Sequence, residues 1–265
     1  MNQDQVKATL LSIEDAPLDF TLIFSGKKSK KVNGLYKPDN REIILHNRNF
    51  DAEAGGDNLL MYTAIHEYAH HLHACTRGGT LSARAHTAEF WAIFHGLLEK
   101  AEAKKLYQNV FDASPELTAL TETIRTRYLY ENGSMVKELG MQLLKAEELC
   151  TAAGARFEDY IDRVLCIPRT AARMAMKMYQ YDLNPAVGPD NMRFLAGITN
   201  EEDRSAAETA LVKGKSPDAV KIAVRKAATE EDPKLKLEKE KTRLERTIAS
   251  LSKRLDEVEQ ELETL

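Results

Sequence analysis

The pattern His66-Glu67-x-x-His70 constrains this chain of 265 residues more than any other feature. Residues i and i+4 lie on one face of a helix, so both imidazoles can reach a single metal ion. The surrounding sequence supports a helix over residues 58–74, with Asp57 or Asn58 as N-cap. Neutral imidazole suits Zn²⁺, and catalytic zinc takes three protein ligands and keeps one position open. Glu67, next to the first ligand, then falls beside a water on the ion and can act as general base in hydrolysis of a peptide carbonyl. The third ligand must come from outside this helix. After the break "TRGGTLS", a second long helix is expected over about residues 83–105, with His86 and Glu89 three apart at its start. Either could complete the site. His71 and His73 lie off the ligand face and read as polar or cleft-lining side chains, and His46 and His95 as structural ones. Phe90, Trp91 and Phe94 read as core.

Ahead of the motif, residues 3–14 read as an amphipathic helix. The runs "LDFTLIFSG" and "REIILHN" read as strands, with a possible third at Val32–Tyr36 and a turn at Pro38-Asp39-Asn40. The first fifty residues thus suggest a helix and a small antiparallel meander, and the fold class expected for the chain is α+β. Cys75, Cys150 and Cys166 form no C-x-x-C pair, which fits a reducing compartment rather than a disulfide framework or a cysteine-rich zinc ribbon. Neither a secretory signal nor an apolar run long enough to cross a membrane is present, so a cytoplasmic location is expected.

H-E-x-x-H followed after a loop by "HTAEFW" resembles the SprT-like zinc peptidases and the related WLM-type domains. The upstream "NGLYKPDNREIILHN" is similar to their Gly–Tyr strand, turn and Ile-rich strand beside the active cleft. The resemblance covers about residues 18–105. It implies a small zincin (minigluzincin-like) fold with two active-site helices. It also implies His66, His70 and His86 as zinc ligands and Glu67 as the base, with Glu89 as the alternative third ligand by analogy with thermolysin-like enzymes.

Past residue 115 the sequence is nearly all helical. "SPELTALTETIRTRYLY" opens with a Ser–Pro start signal and "SMVKELGMQLLKAEELC" follows as a further helix. Residues 157–164, a tight link Leu165-Cys166-Ile167 and a helix opened by Pro168 have the outline of a helix-turn-helix. On the second helix Arg169, Arg173 and Lys177 fall at i, i+4 and i+8, a stripe suited to DNA phosphates and base edges, and Ala171, Met174 and Met178 suit packing. A solvated helix in a plain bundle is the alternative. Residues 134–228 are loosely similar to phage and plasmid helix-turn-helix modules and to ParB-like partition proteins, although Cys166 stands where such turns often use Gly. After Pro233, Leu237, Lys241, Leu244, Ile248, Leu251, Leu255, Val258, Leu262 and Leu265 repeat at fours and threes. They mark either a coiled coil, with a homodimer its simplest outcome, or a lone amphipathic helix folded back on the body.

These readings divide the chain into a metallopeptidase domain (1–112), a DNA-binding-like helical domain (113–230) and a coiled coil (234–265). Net charge is −4, so DNA binding needs a local basic face. The expected function is that of a zinc-dependent endopeptidase acting on DNA-associated proteins or on a transcriptional repressor. The alternative is a DNA-binding regulator or partition-like protein with a non-catalytic zincin domain. Tyr128 and Tyr130 are candidates for stabilising the oxyanion.

Overall fold

A computed structural model describes residues 1–50, 56–78 and 85–230, together with 241, 244, 245, 247, 248 and 252. The chain forms two compact units, Met1–Ile222 and Ala223–Leu265, and the elements that carry the site belong to the first. The fold is α+β, mostly helical with one three-stranded sheet.

Helix α1 (Gln3–Ile13) starts at a reciprocal capping box between Asn2 and Gln5 and buries Val6, Leu10 and Ile13. Strands β1 (Thr21–Phe24), β2 (Gly34–Lys37) and β3 (Glu42–Leu45) follow. Their order is β1-β3-β2, with β1 parallel and β2 antiparallel to β3. The sheet is therefore mixed and not the antiparallel meander expected. Nothing in the strand sequences specifies this order, because it is set by what grips the connection 25–33. Asn47 Oδ1 accepts from Gly26 N–H at 2.9 Å, and Asn49 both accepts from Ser29 N–H and donates to Ser29 O, each at 2.9 Å. The connection 25–33 crosses the end of the sheet to place β2 on the far side of β3, and the turn after β3 anchors it there. Ile43 and Leu45 point into a core shared with α1 and with the two long helices α2 (Gly56–Thr76) and α3 (Ala88–Ala103).

The helical region begins as expected at α4 (Pro115–Thr123), with Ser114 as N-cap and Pro115 in the first turn. It does not break before residue 134. A π-helical stretch, Ile124–Tyr130, joins α4 to α5 (Glu131–Ala152) with helical backbone angles at both joins. Short α6 (Phe157–Tyr160) continues as a π turn to Leu165. Cys166 then turns the chain with φ 53°, the left-handed region that favours Gly, and α7 (Arg169–Gln180) follows. Helices α8 (Pro189–Ala196), α9 (Glu201–Val212) and α10 (Pro217–Glu230) complete the described elements.

Helices α5 and α7 pack through Leu143, Ala172, Ala175 and Met176. The packing face of α7 thus includes Ala172, Ala175, Met176 and Met178, whereas Ala171 is exposed and Met174 half-buried. Of the two methionines expected there, Met178 alone is fully buried, since Gly140 of α5 draws the helix in along the neighbouring face. A Cβ at Gly140 would stand 2.0 Å from the carbonyl oxygen of Ala175, a backbone atom that no rotamer change can move. Gly140→Ala is expected to lower stability by about 3 kcal/mol, read as a reduced denaturant midpoint.

Of the heptad residues, Leu237, Leu251, Leu255, Val258, Leu262 and Leu265 lie outside the described residues. Lys241, Leu244 and Ile248 are helical and exposed. No helix among the described residues is long and apolar enough to cross a membrane.

Candidate metal centre

Helix α2 carries His66, Glu67, His70, His71 and His73. Thirteen of its 21 residues are buried, so it is a central helix rather than a surface one. His71 and His73 are 0% and 1% exposed, in the interior and not on a cleft wall: His71 turns toward the sheet, against Phe20 and Tyr36, and His73 turns toward Phe90 of α3.

His66, His70 and His86 come together. One ring nitrogen from each lies within 4.8 Å of the others, and the ring centroids form a nearly equilateral triangle with sides of 5.0, 4.9 and 5.1 Å. His66 Nε2 and His86 Nε2 are 3.1 Å apart. Two imidazoles bound to a tetrahedral ion at about 2.0–2.1 Å stand about 3.3 Å apart, so the spacing fits a shared ion. His70 Nδ1 is buried and has no hydrogen-bond partner among the described residues. A cluster of three imidazoles with an orphaned buried nitrogen is a donor set that fits a metal ion.

His86 does not lie on the second helix, as the sequence suggested. Thr87 is the N-cap of α3 and accepts from Phe90 N–H, so the helix starts at Ala88 and His86 sits one residue ahead of the cap. A ligand at the end of a loop can turn toward α2 without following helical geometry. Glu89, in the first turn of α3, is not among the three clustered residues; its charge acts on His73. Phe90 and Phe94 are core as expected, and Phe90 also forms the floor of the cluster. Its ring stacks on His70 at 4.2 Å and meets His66 and His86 at 5.0 and 4.8 Å, and Trp91 stacks on His86 at 5.6 Å.

Burial and neighbouring imidazoles lower the basicity of two ligands, His66 to about 4 and His70 to about 3. Both are therefore neutral at neutral pH, the form a metal requires. Burial has the opposite sign for the carboxylic acid of Glu67, which is pushed up to about 7 against the lowering effect of the Tyr36 backbone N–H. Glu67 sits beneath β2: a Cβ at Gly34 would lie 3.0 Å from Glu67 Cγ and 3.1 Å from Thr63 Cγ2. Gly34→Ala must therefore displace the Glu67 side chain or lift the strand. We expect at least a tenfold loss of any Glu67-dependent turnover with metal content retained, read by steady-state kinetics and metal analysis.

Two side chains that support Glu67 are not evident from spacing along the chain. Tyr36, on β2, hydrogen-bonds through its hydroxyl to His71 Nδ1 at 3.0 Å, and His71 Nε2 lies 2.9 Å from Leu18 O. A carbonyl can only accept, so Nε2 carries the proton and Nδ1 accepts from Tyr36. The pair ties β2 to α2 directly above Glu67. Tyr36 and His71 are 35 positions apart, and no local pattern joins them.

His46 bonds Ser25 Oγ at 2.9 Å, and His95 lies beside Trp91 and Phe94; neither belongs to the cluster. Tyr128 and Tyr130 lie on the π-helical stretch, half exposed, and make no hydrogen bond or ring contact with the cluster among the described residues. Arg169, Arg173 and Lys177 line the exposed side of α7. The preceding turn supplies acids that the sequence of α7 does not contain: Asp162 accepts from Arg169 Nε at 2.9 Å, and Glu158 Oε1 lies 3.8 Å from Arg173. The expected basic stripe is thus partly neutralised at its N-terminal end, and only Lys177 has no ion pair with a described residue.

Comparison of the chain with protein-family models, with curated proteins and with solved structures found no match.

Proposed function

We propose that the chain is a zinc-dependent endopeptidase of SprT-like type, with His66, His70 and His86 holding the ion and Glu67 acting as general base. The observation that carries this reading is the coincidence of two features. Three imidazole nitrogens gather within 4.8 Å, and the residue next to the first of them is a buried carboxylate 6% exposed. A site that uses zinc only for structure is closed by four ligands and has no use for a base.

When bound, zinc acts as a Lewis acid on the peptide carbonyl and makes water a stronger acid. The protein supplies the rest. The neutral imidazoles of His66 and His70 donate lone pairs without first losing a proton. Phe90 fixes the ring planes and keeps water from beneath the cluster. The apolar surroundings of Glu67 strengthen it as a base, and the Tyr36 N–H limits that effect. Glu67 takes the proton from the attacking water and delivers it to the departing amine.

Metal analysis with a proteolysis assay tests the proposal. One zinc per chain is expected, with cleavage of an unfolded protein that a chelator stops and added zinc restores. Stoichiometric zinc with no cleavage of any protein, whether DNA is present or absent, would favour the non-catalytic alternative. DNA-associated proteins or a repressor remain the proposed substrates, and pairing of two chains through residues 234–265 the proposed assembly.

A further inference from the structure

The end of the sheet at Gly34, which lies against the Cγ of Glu67, also carries a concentration of positive charge that the function above does not use. The connection between β1 and β2 reads Ser25-Gly26-Lys27-Lys28-Ser29-Lys30-Lys31-Val32-Asn33. All four lysines are exposed, and none is ion-paired to a described residue. The connection is held in place: besides the bonds from Asn47 and Asn49 to Gly26 and Ser29, Asn49 Nδ2 donates to Asn33 Oδ1 at 2.8 Å. Arg48, exposed, lies between those two asparagines, so a fifth cation is brought beside the lysines from 17 or more positions along the chain. Within residues 20–50 the only acids are Asp39 and Glu42. Both sit at the opposite end of the sheet, where Glu42 pairs with Lys37 at 3.6 Å. Lys31 is three residues from Gly34, which touches Glu67, a span of at most about 11 Å of extended chain.

We propose that Lys27, Lys28, Lys30, Lys31 and Arg48 form a binding surface for the phosphodiester backbone of nucleic acid, next to the strand that covers Glu67. Five cations on a fixed backbone, in a chain whose net charge is −4, select for a dense polyanion. The segment offers no aromatic ring on which a base could stack, so contacts are to phosphate and binding is independent of sequence. Val32 is its one exposed apolar side chain, which leaves little to insert into a lipid surface. The inference stands without the peptidase reading, since binding is measured without cleavage. If both hold, a protein lying on nucleic acid is presented to the Glu67 side of the sheet.

The test is fluorescence anisotropy of labelled single-stranded DNA, double-stranded DNA and RNA oligonucleotides with the full chain. The wild type is compared with Lys27→Gln/Lys28→Gln/Lys30→Gln/Lys31→Gln and, separately, with Arg173→Ala/Lys177→Ala. Wild-type binding is expected to weaken with log salt at a slope of about −3 to −4, from some four or five phosphate contacts. The lysine variant should bind at least tenfold more weakly at low salt and lose most of that slope. Its unaltered circular dichroism and melting temperature would exclude misfolding. Three results would overturn the proposal: no binding to any of the oligonucleotides, binding unchanged in the lysine variant and lost only in the α7 variant, or binding confined to phosphatidylserine vesicles.

Discussion

Glu67→Gln should leave one zinc per chain and reduce proteolysis by about 100-fold to 10⁴-fold, the usual contribution of a positioned base. The substitution keeps size and retains an amide oxygen that can accept from the Tyr36 N–H, so the packing under Gly34 is preserved. What it removes is the ability to take a proton. It should also reverse the ordinary expectation for a buried substitution. In the metal-free protein, burial raises the Glu67 acid to about 7 from an ordinary value near 4.5. Its contribution to stability is therefore fully present below pH 4.5 and is lost as pH rises through 7. The Gln variant carries no such dependence. Relative to metal-free wild type it should gain stability across that interval, by up to about 3 kcal/mol above pH 7. Urea unfolding at pH 5 and pH 8 measures the difference. Full activity in the Gln variant would remove Glu67 from the mechanism, whatever the metal content.

His86→Ala should weaken zinc binding by more than about 100-fold and abolish cleavage, with little effect on the fold of the metal-free protein. Altering outer-shell partners alone weakens metal binding by about 10–100-fold, and loss of a ligand exceeds that. Little stability is at stake because His86 is exposed and precedes the cap of α3, where Thr87 and Phe90 hold the helix start without it. Glu89→Gln is the control. If it retains zinc while His86→Ala does not, the rival third ligand is eliminated; the converse result would place the ion on Glu89. Metal content after dialysis, with a chromophoric chelator as competitor, separates the two.

Much of this site was legible from His66, Glu67 and His70, because a spacing of four on a helix fixes a shared face whatever the remainder of the fold. The same local logic identified Ser114-Pro115 as a helix start, whereas it was the likeness to helix-turn-helix modules that singled out Cys166 as standing where Gly is favoured. What was not legible depends on groups distant in sequence. The strand order rests on Asn47 and Asn49 gripping Gly26 and Ser29, and hydrophobic alternation carries no trace of such bonds. The run Ile124–Tyr130 reads as helical, but nothing in it reveals π geometry, and Asn132-Gly133, a turn-favouring pair, hides the continuation into α5. The α7 stripe looked uncompensated because Asp162 and Glu158 precede the turn. His86 was assigned to a helix because neither neighbour is a breaker, although Thr87 is the residue type that caps one.

The position of His86 ahead of α3 has a mechanical consequence. His66 and His86 are 20 positions apart, and an ion held by both closes that length of chain into a ring. By the reasoning applied to a disulfide, such a closure removes about 3 kcal/mol of conformational freedom from the unfolded chain. The same ion would then be a cross-link as well as a reagent. Stripping it should therefore ease global unfolding, so that metal depletion makes the protein itself more susceptible to proteolysis.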